Sequence, residues 1–164
     1  MLAIKVIIEG LLLGFFLYLI CAFGIRNGAI GMVHLYSKEV QKRVVELGLT
    51  TEENIRKRNM YFKVICLIGY IAYVLICVYF INKARGFFNG FIQLFVILSI
   101  MNIIDRLLID EYWVGHTDDW NIPGTEDLKP YISAQEKKRK WIFETVGFAA
   151  LSAIIAGIMS LILK

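Results

Sequence analysis

The sequence predicts an all-α integral membrane protein, a four-helix bundle with an amphipathic helical hairpin on its cytoplasmic side. Hydrophobic residues make up 58% of the 164-residue chain, more than soluble domains usually contain, and the mean hydropathy is +0.63. Four apolar runs are each long enough to cross about 30 Å of hydrocarbon at roughly 1.5 Å per residue. These runs are residues 4–25, 61–81, 87–104 and 141–163. Residues 1–164 are therefore predicted to form one membrane domain.

The first run is predicted to remain as a membrane helix rather than to be cleaved as a signal peptide. Its apolar part is longer than a signal peptide needs, and no small-residue cleavage site follows it. Gly10 and Gly14 form a G-x-x-x-G spacing, which lets a second backbone approach closely. Glu9 lies four residues after Lys5, so we expect these two side chains to pair near the membrane surface.

The segment between the first two runs is predicted to form the amphipathic helical hairpin. Between Gly28 and Gly48, apolar residues recur at helical spacing and charged residues occupy the rest of the helix circumference. Gly48 is a typical helix end, and Thr50 with Glu53 has the spacing of a capping box that begins the next helix. His34 could face lipid headgroups or a site, and a surface position is the expectation.

The distribution of basic residues predicts the side of the membrane on which each loop lies. Most Lys and Arg residues fall in two long segments, 26–60 and 105–140. Because positive residues accumulate on the cytoplasmic side, both segments are predicted to be cytoplasmic. Both termini are then predicted to lie on the outer side of the plasma membrane. The same residues account for the net charge of +4, so nucleic-acid binding is not expected.

Local composition predicts how the last three runs pack. Only residues 82–86 separate the second and third runs, which predicts an antiparallel hairpin with its turn outside. The three cysteines lie within runs, in no disulfide or zinc spacing, and are expected to be packed. The fourth run has small residues at a four-residue spacing, which predicts close helix contact. These residues are Ala149, Ala153 and Gly157, with Ser152, Ala156 and Ser160 on a neighbouring ridge.

An acidic and aromatic segment from Asp105 to Asp127 follows the third run and marks the candidate site. If the third helix continues beyond its apolar part, Asp110 lies one turn after Arg106, which predicts an ion pair. Glu144 lies one turn into the fourth run, at about the depth of Asp105. These two carboxylates could share a metal ion or a proton, or could both bind Arg106.

Oxygen ligands with one imidazole in this segment would suit a divalent cation such as Mg, Mn, Fe or Zn. No H-x-x-x-H or H-E-x-x-H spacing fixes a geometry. The candidate metal ligands are Asp105, Asp110, Glu111 and His116. The candidate catalytic residues are Asp105, Asp110, His116 and Glu144, and the candidate substrate-binding residues are Arg106, Trp113 and Trp120. An interfacial segment of solvated carboxylates and tryptophans is the alternative.

Residues 121–127, NIPGTED, are predicted to contain a tight turn. Pro123 presets the first corner, and Gly124 supplies the positive φ of the second. Thr125 can then cap a short helical turn that begins with Glu126. Free amides in such a turn could bind an anion, but the neighbouring carboxylates disfavour one.

A longer pattern includes this turn and resembles one in a group of known proteins. It consists of Asp105-x4-Asp110-x2-Trp113, followed by Ile122-Pro-Gly-Thr-Glu126 and then Tyr131. The pattern resembles one in small, functionally uncharacterised bacterial polytopic membrane proteins. The resemblance covers roughly residues 105–131 and implies a common architecture. It implies no activity, cofactor or catalytic residue.

Three classes of function are compatible with the candidate site. The leading hypothesis is a metal-assisted membrane enzyme whose polar site opens at the cytoplasmic interface and acts on a membrane lipid or another amphiphile. The second is a small-ion transporter or channel protomer, although Asn89 and Gln93 are among few polar residues within the runs. The third is a non-catalytic assembly or accessory subunit that binds a membrane partner or a second copy through its small-residue faces.

Overall fold

The computed structural model of the chain describes residues 1–163 and confirms an all-α helical bundle. Four of its helices are long and apolar enough to cross a membrane, so the chain is a multi-pass membrane protein. These are α1 (Leu2–Ile25), α3 (Glu52–Ile81), α4 (Phe87–His116) and α5 (Ala134–Ile162), and a shorter helix, α2 (Lys38–Glu46), precedes α3. Lys164, the last residue of the predicted domain, lies outside the described residues.

Polar extensions of α3, α4 and α5 reach beyond the apolar runs at one end of the bundle, here called the loop end. The start of α3 is capped by Thr51, whose side chain accepts a hydrogen bond from the Asn54 backbone N–H. The predicted cap at Thr50 is therefore displaced by one residue. Ser133 and Glu136 form a capping box that begins α5, a signal that the sequence analysis missed.

Two short helices connect α1 to α3 in place of the single amphipathic helix that the sequence predicted. A 3-10 helix, Ala29–Leu35, packs against the end of α1, and α2 begins after Ser37, whose hydroxyl caps it. A Cβ at Gly31 would lie only 2.2 Å from the backbone oxygen of Gly24. Only glycine fits this approach, which holds the 3-10 helix against α1.

Helix α4 is the centre of the bundle and packs against both α1 and α5. The predicted glycine spacing in α1 serves this contact, because a Cβ at Gly10 would lie 2.8 Å from the Cβ of Ile100. On α5, Ser152 and Ala156 are fully buried, which confirms the predicted small ridge, whereas Gly157 has open space around it. The three cysteines are buried and free, as predicted.

A buried polar cluster lies at the opposite end of the bundle, where α3 turns into α4. Asn82 donates hydrogen bonds to Glu9 at 2.9 Å and to Gln93 at 3.0 Å. Glu9 is buried and does not pair with Lys5 as predicted. Lys5 instead donates to the backbone oxygen of Ile81 at 3.4 Å. The cluster ties α1 to the turn between α3 and α4, and the last residues of α3, Ile76–Ile81, pack against α4.

Replacing Gly31 with alanine is expected to destabilise the protein, because the new Cβ would collide with a backbone oxygen that cannot rotate away. Overpacking of this kind costs about 1–3 kcal/mol. Thermal unfolding in detergent should show a lower midpoint for Gly31→Ala. The control is Gly69→Ala in α3, where the space around the glycine is open and alanine favours the helix. Equal midpoints for the two variants would contradict the close approach.

Candidate functional site

The Arg106 side chain lies at the centre of an ion cluster at the loop end. Its guanidinium forms ion pairs with Asp105 and Asp110 of the same helix. It also contacts Glu144 of α5, with Nε 3.2 Å from Oε2 and a terminal nitrogen donating to Oε1 at 3.2 Å. Only 6% of the Arg106 side chain is exposed. The predicted Arg106–Asp110 pair is confirmed, and carboxylates from two helices meet at one cation.

A π-helical stretch of α4 makes this convergence possible. Residues Asp105–Trp113 form this wider helix, in which each hydrogen bond spans five residues. Side chains five residues apart point about 140° away from each other in an α-helix, which has 3.6 residues per turn. The π turn brings them closer to the same face, so Asp105 and Asp110 both reach Arg106. The sequence analysis predicted an ordinary continuation of the helix here.

Lys140 of α5 adds a second cation to the cluster, with its Nζ 3.4 Å from the Asp110 carboxylate. Three carboxylates therefore face two cations, which leaves one acidic group in excess. Asp110 contacts both cations, whereas 31% of the Glu144 side chain is exposed. The group best placed to meet a bound molecule is thus Glu144, with Asp105 next at 20% exposure. We call Asp105, Arg106, Asp110, Lys140 and Glu144 the Arg106 cluster.

The Arg106 cluster lines a cavity of about 630 Å³, a size typical of small-molecule sites. All four spanning helices contribute to its lining, together with the segment between α1 and α3 and the loop between α4 and α5. Beside the charged groups, the lining includes the apolar side chains of Leu17, Met101 and Phe148. The cavity therefore offers a polar region and an apolar region to the same bound molecule.

The loop between α4 and α5 is fastened over this cavity by aromatic and ionic contacts. The Tyr36 hydroxyl donates to the backbone oxygen of Trp120 at 2.5 Å, and the Tyr36 ring packs edge-on against Tyr131. Burial and the neighbouring Tyr131 raise the pKa of Tyr36, so its hydroxyl stays a neutral donor. Arg43 of α2 pairs with Asp127 of the loop at 3.1 Å. Trp120 and Tyr131 consequently form part of the cavity lining.

The predicted turn in NIPGTED is present, and its polar groups hold the loop together. The backbone N–H of Gly124 donates to the Glu126 carboxylate at 2.9 Å, which leaves it unavailable to an anion. Thr125 is fully buried, and its hydroxyl donates to the backbone oxygen of Ile122 at 2.8 Å. Thr125 therefore does not cap the following 3-10 helix, Glu126–Leu128, as the sequence predicted.

Three of the predicted site residues do not line the cavity. Glu111 is exposed and pairs with Lys137 of α5. His116 is also exposed, and its Nδ1 lies 2.9 Å from the backbone oxygen of Glu111. Trp113 packs between Tyr18 and Trp120, so it contacts a residue of the cavity lining without belonging to the lining itself. Of the predicted catalytic residues, the structure brings together Asp105, Asp110 and Glu144 but not His116.

The four predicted metal ligands do not converge on one point. The carboxylates of Asp105 and Asp110 bind Arg106, whereas Glu111 and His116 lie away from them. Within residues 1–163, no group of three or more His, Cys, Asp or Glu side chains could hold a metal ion. A guanidinium lies where a shared cation would have to bind, so the donor set does not fit the metal site that the sequence analysis considered.

His34 is a cavity residue that the sequence analysis placed on the surface. It is only 8% exposed, lines the cavity and packs against the ring of Phe62. Neither ring nitrogen has a hydrogen-bond partner in the part of the chain that the structure describes. Burial, together with the positive charges of Arg58 and Lys63, lowers the pKa of His34 to about 4, so the imidazole is neutral at pH 7.

Two further cavity residues carry buried polar atoms without a partner among residues 1–163, namely Asn102 Oδ1 and Trp120 Nε1. Buried polar atoms in folded proteins are nearly always hydrogen-bonded, so these atoms indicate a place for water or a ligand. Trp120 was predicted to contact substrate, and it does line the cavity. No sequence signal marked Asn102 as a site residue.

The packing between the two polar clusters gives the transport alternative no support. On α4, the interval between Gln93 and Asn102 contains Leu94, Ile97 and Leu98, whose side chains are fully buried. On α1, Leu13 is buried in the same region of the bundle core. Close-packed aliphatic side chains leave no space for water. Among the described residues, buried aliphatic side chains of α4 and α1 thus lie between the polar cavity at the loop end and the polar cluster at the opposite end.

Comparison with known proteins found no match for this chain. No family model matches the chain, and neither the curated proteins nor the solved structures give a match. The resemblance over residues 105–131 therefore stays a prediction from the sequence. Fold and site together define the class: a multi-pass all-α membrane protein with a charged cavity at one end of its bundle.

Removing the central cation should destabilise the protein strongly. In Arg106→Leu, the three carboxylates of the cluster would face one another without the guanidinium between them. Removing one partner of a buried ion pair in this way costs about 3–5 kcal/mol of folding free energy. Adding Asp105→Asn and Asp110→Asn to this variant should recover part of the loss. The control is Arg43→Leu, which removes an exposed pair worth about 0–1 kcal/mol. Similar unfolding midpoints for the two single variants would argue against the cluster.

Stability should fall as the pH is lowered from about 6.5 to about 4, the range between the ordinary and the folded-state pKa of His34. In this range the unfolded chain takes up a proton that the folded protein excludes, so the loss begins below pH 6.5 and is complete near pH 4. His34→Gln should remove this part of the pH dependence. Unfolding midpoints at pH 7.5 and pH 4.5 separate it from any packing effect, and an unchanged pH dependence would contradict the burial of His34.

Proposed function

We propose that this protein is a membrane-embedded enzyme that binds the polar part of an amphiphile, such as a membrane lipid, in the loop-end cavity. The proposal rests on the composition of the cavity lining. In this lining the Arg106 cluster lies beside apolar side chains of the spanning helices. A molecule with a polar head and an apolar tail would match both regions. Such pockets between helices of a bundle are common ligand sites.

The chemistry proposed for the site is proton transfer by Glu144 and Asp105. Because carboxylates outnumber cations in the Arg106 cluster, one of them can hold or release a proton without leaving a cation unpaired. Glu144 is the most exposed of the three acids and is therefore the candidate acid or base, with Asp105 as its proton partner. Asp110 holds Arg106 and Lys140 in place. No step runs through a metal ion, since the donor set does not fit one.

The orientation in the membrane is part of the same proposal. The loop end carries both long basic segments, residues 26–60 and 105–140, and the opposite end carries few basic residues. The positive-inside rule therefore favours a plasma-membrane protein whose cavity faces the cytoplasm and whose termini lie outside. In this orientation the cavity is accessible to molecules of the cytoplasmic leaflet and to cytoplasmic water.

Purified protein in vesicles of bacterial polar lipids should convert at least one lipid, as followed by mass spectrometry. Glu144→Gln and Asp105→Asn should each reduce the rate by about 10²–10⁴-fold, the usual contribution of acid–base catalysis. Their unfolding midpoints should stay close to that of the unmodified protein, since the substitutions keep the shape of the side chains. The control is Glu111→Gln, an exposed residue outside the cavity, which should retain full activity.

Two outcomes would overturn the enzyme proposal. One is that the unmodified protein leaves every lipid of the vesicles unchanged. The other is that Glu144→Gln and Asp105→Asn convert lipid as fast as Glu111→Gln does, because the cavity carboxylates would then have no part in the reaction.

A further inference from the structure

We infer that the polar group which enters the cavity is an anionic phosphate, and that Lys63, Arg139 and His34 bind it. The inference rests on the proposed amphiphile site and names the class of amphiphile: a lipid with a negatively charged phosphate headgroup. Three observations carry it, namely the unpaired cations of the cavity, the buried donors without partners, and the apolar lining next to them.

The cations that line the cavity fall into two groups. Arg106 and Lys140 belong to the Arg106 cluster, where carboxylates already neutralise them. Lys63 of α3, Arg139 of α5 and Lys38 of α2 also line the cavity, and none of them forms an ion pair with a carboxylate of residues 1–163, although Lys38 donates to the Gln41 side chain at 3.3 Å. The remaining carboxylate of the described lining, Glu136, is bound to the Ser133 end of its own helix. Five cations and four carboxylates therefore line the cavity, so its formal net charge is +1.

His34 provides independent evidence for an anion in this part of the cavity. More than nine-tenths of the residue is buried, and both ring nitrogens lack partners among the described residues. Its low pKa of about 4 arises first from burial and then from the positive charges of Arg58 and Lys63, so the field at His34 is positive. Such a field favours a bound anion. The neutral imidazole retains one N–H that can donate to it.

The arrangement of donors favours phosphate over carboxylate. Lys63, Arg139 and His34 belong to α3, α5 and the 3-10 helix, and the Nε1–H of Trp120 on the α4–α5 loop is a fourth unpartnered donor. The four donors therefore lie on four separate elements around one cavity. A phosphate has three strong acceptor oxygens in a tetrahedral arrangement, whereas a carboxylate has two in one plane. The aliphatic and aromatic lining beside these donors favours a lipid over free phosphate.

A binding experiment with three matched probes tests the inference. The protein is purified in a maltoside detergent, which carries neither charge nor phosphate, and is titrated with dioctanoyl phosphatidate, with dioctanoylglycerol and with inorganic phosphate. The chain has only two histidines, so in a His116→Gln background the imidazole NMR signal reports on His34 alone. Dioctanoyl phosphatidate should bind saturably and raise the pKa of His34 from about 4 by about 1 to 3.

Substitutions identify the groups that bind the phosphate. Lys63→Gln and Arg139→Gln should each weaken phosphatidate binding by about tenfold or more, as expected for loss of a charge-assisted hydrogen bond. The matched controls are Arg56→Gln on α3 and Lys138→Gln on α5, cations that are exposed, as Lys63 and Arg139 are, but do not line the cavity. These controls should leave the affinity unchanged, which separates the cavity from general attraction between basic residues and anionic lipid.

The outcomes separate this inference from the proposed function. Equally tight binding of dioctanoylglycerol, with no effect of Lys63→Gln or Arg139→Gln, would overturn the phosphate site and leave the amphiphile enzyme in place. Inorganic phosphate binding as tightly as phosphatidate would overturn the lipid part of the inference. Binding of no probe, with lipid conversion retained, would overturn the inference alone. If the unmodified protein converts no lipid in the vesicle assay, the proposed function is overturned.

Discussion

The Arg106 guanidinium, placed where the apolar part of α4 ends, is the charge on which the structure of the loop end depends. A buried cation is costly unless carboxylates surround it, and this one is met from two helices. Asp105 and Asp110 reach it together because α4 widens into a π-helix, and Glu144 reaches it because α5 packs along α4. One buried ion cluster therefore couples a local helix distortion to the contact between two spanning helices.

The polar segments outside the bundle serve to close this end of the molecule. The tight contact at Gly31 holds the 3-10 helix against α1, which directs His34 and Tyr36 toward the cavity. Tyr36 then holds the backbone of Trp120, and Arg43 holds Asp127, so that the loop after α4 lies over the charged groups. None of residues 121–127 lines the cavity, so the NIPGTED sequence forms a compact turn within the loop that carries Trp120 and Tyr131.

The cavity separates two kinds of electrostatic environment within a short distance. Around Arg106 the carboxylates are in excess, whereas around His34 the nearby charges are positive. The proposed acid–base reaction on an anionic headgroup would use both environments, the carboxylates for proton transfer and the cations for binding. The aliphatic lining between them extends the same site toward the apolar part of the bundle.

The sequence by itself determined the membrane class, the four spans and the Arg106–Asp110 pair, because hydrophobic run length and i,i+4 spacing are local properties. Only the tertiary structure decided that Asp105 and Glu144 share Arg106 and that His34 is buried. It also decided that His116 and Glu111 lie apart from them. These outcomes depend on the π-helical turn and on how separate helices pack, and neither leaves a periodic signal in the residues. Of the predicted site residues, Asp105, Arg106, Asp110, Trp120 and Glu144 therefore line one cavity, whereas Glu111, Trp113 and His116 do not.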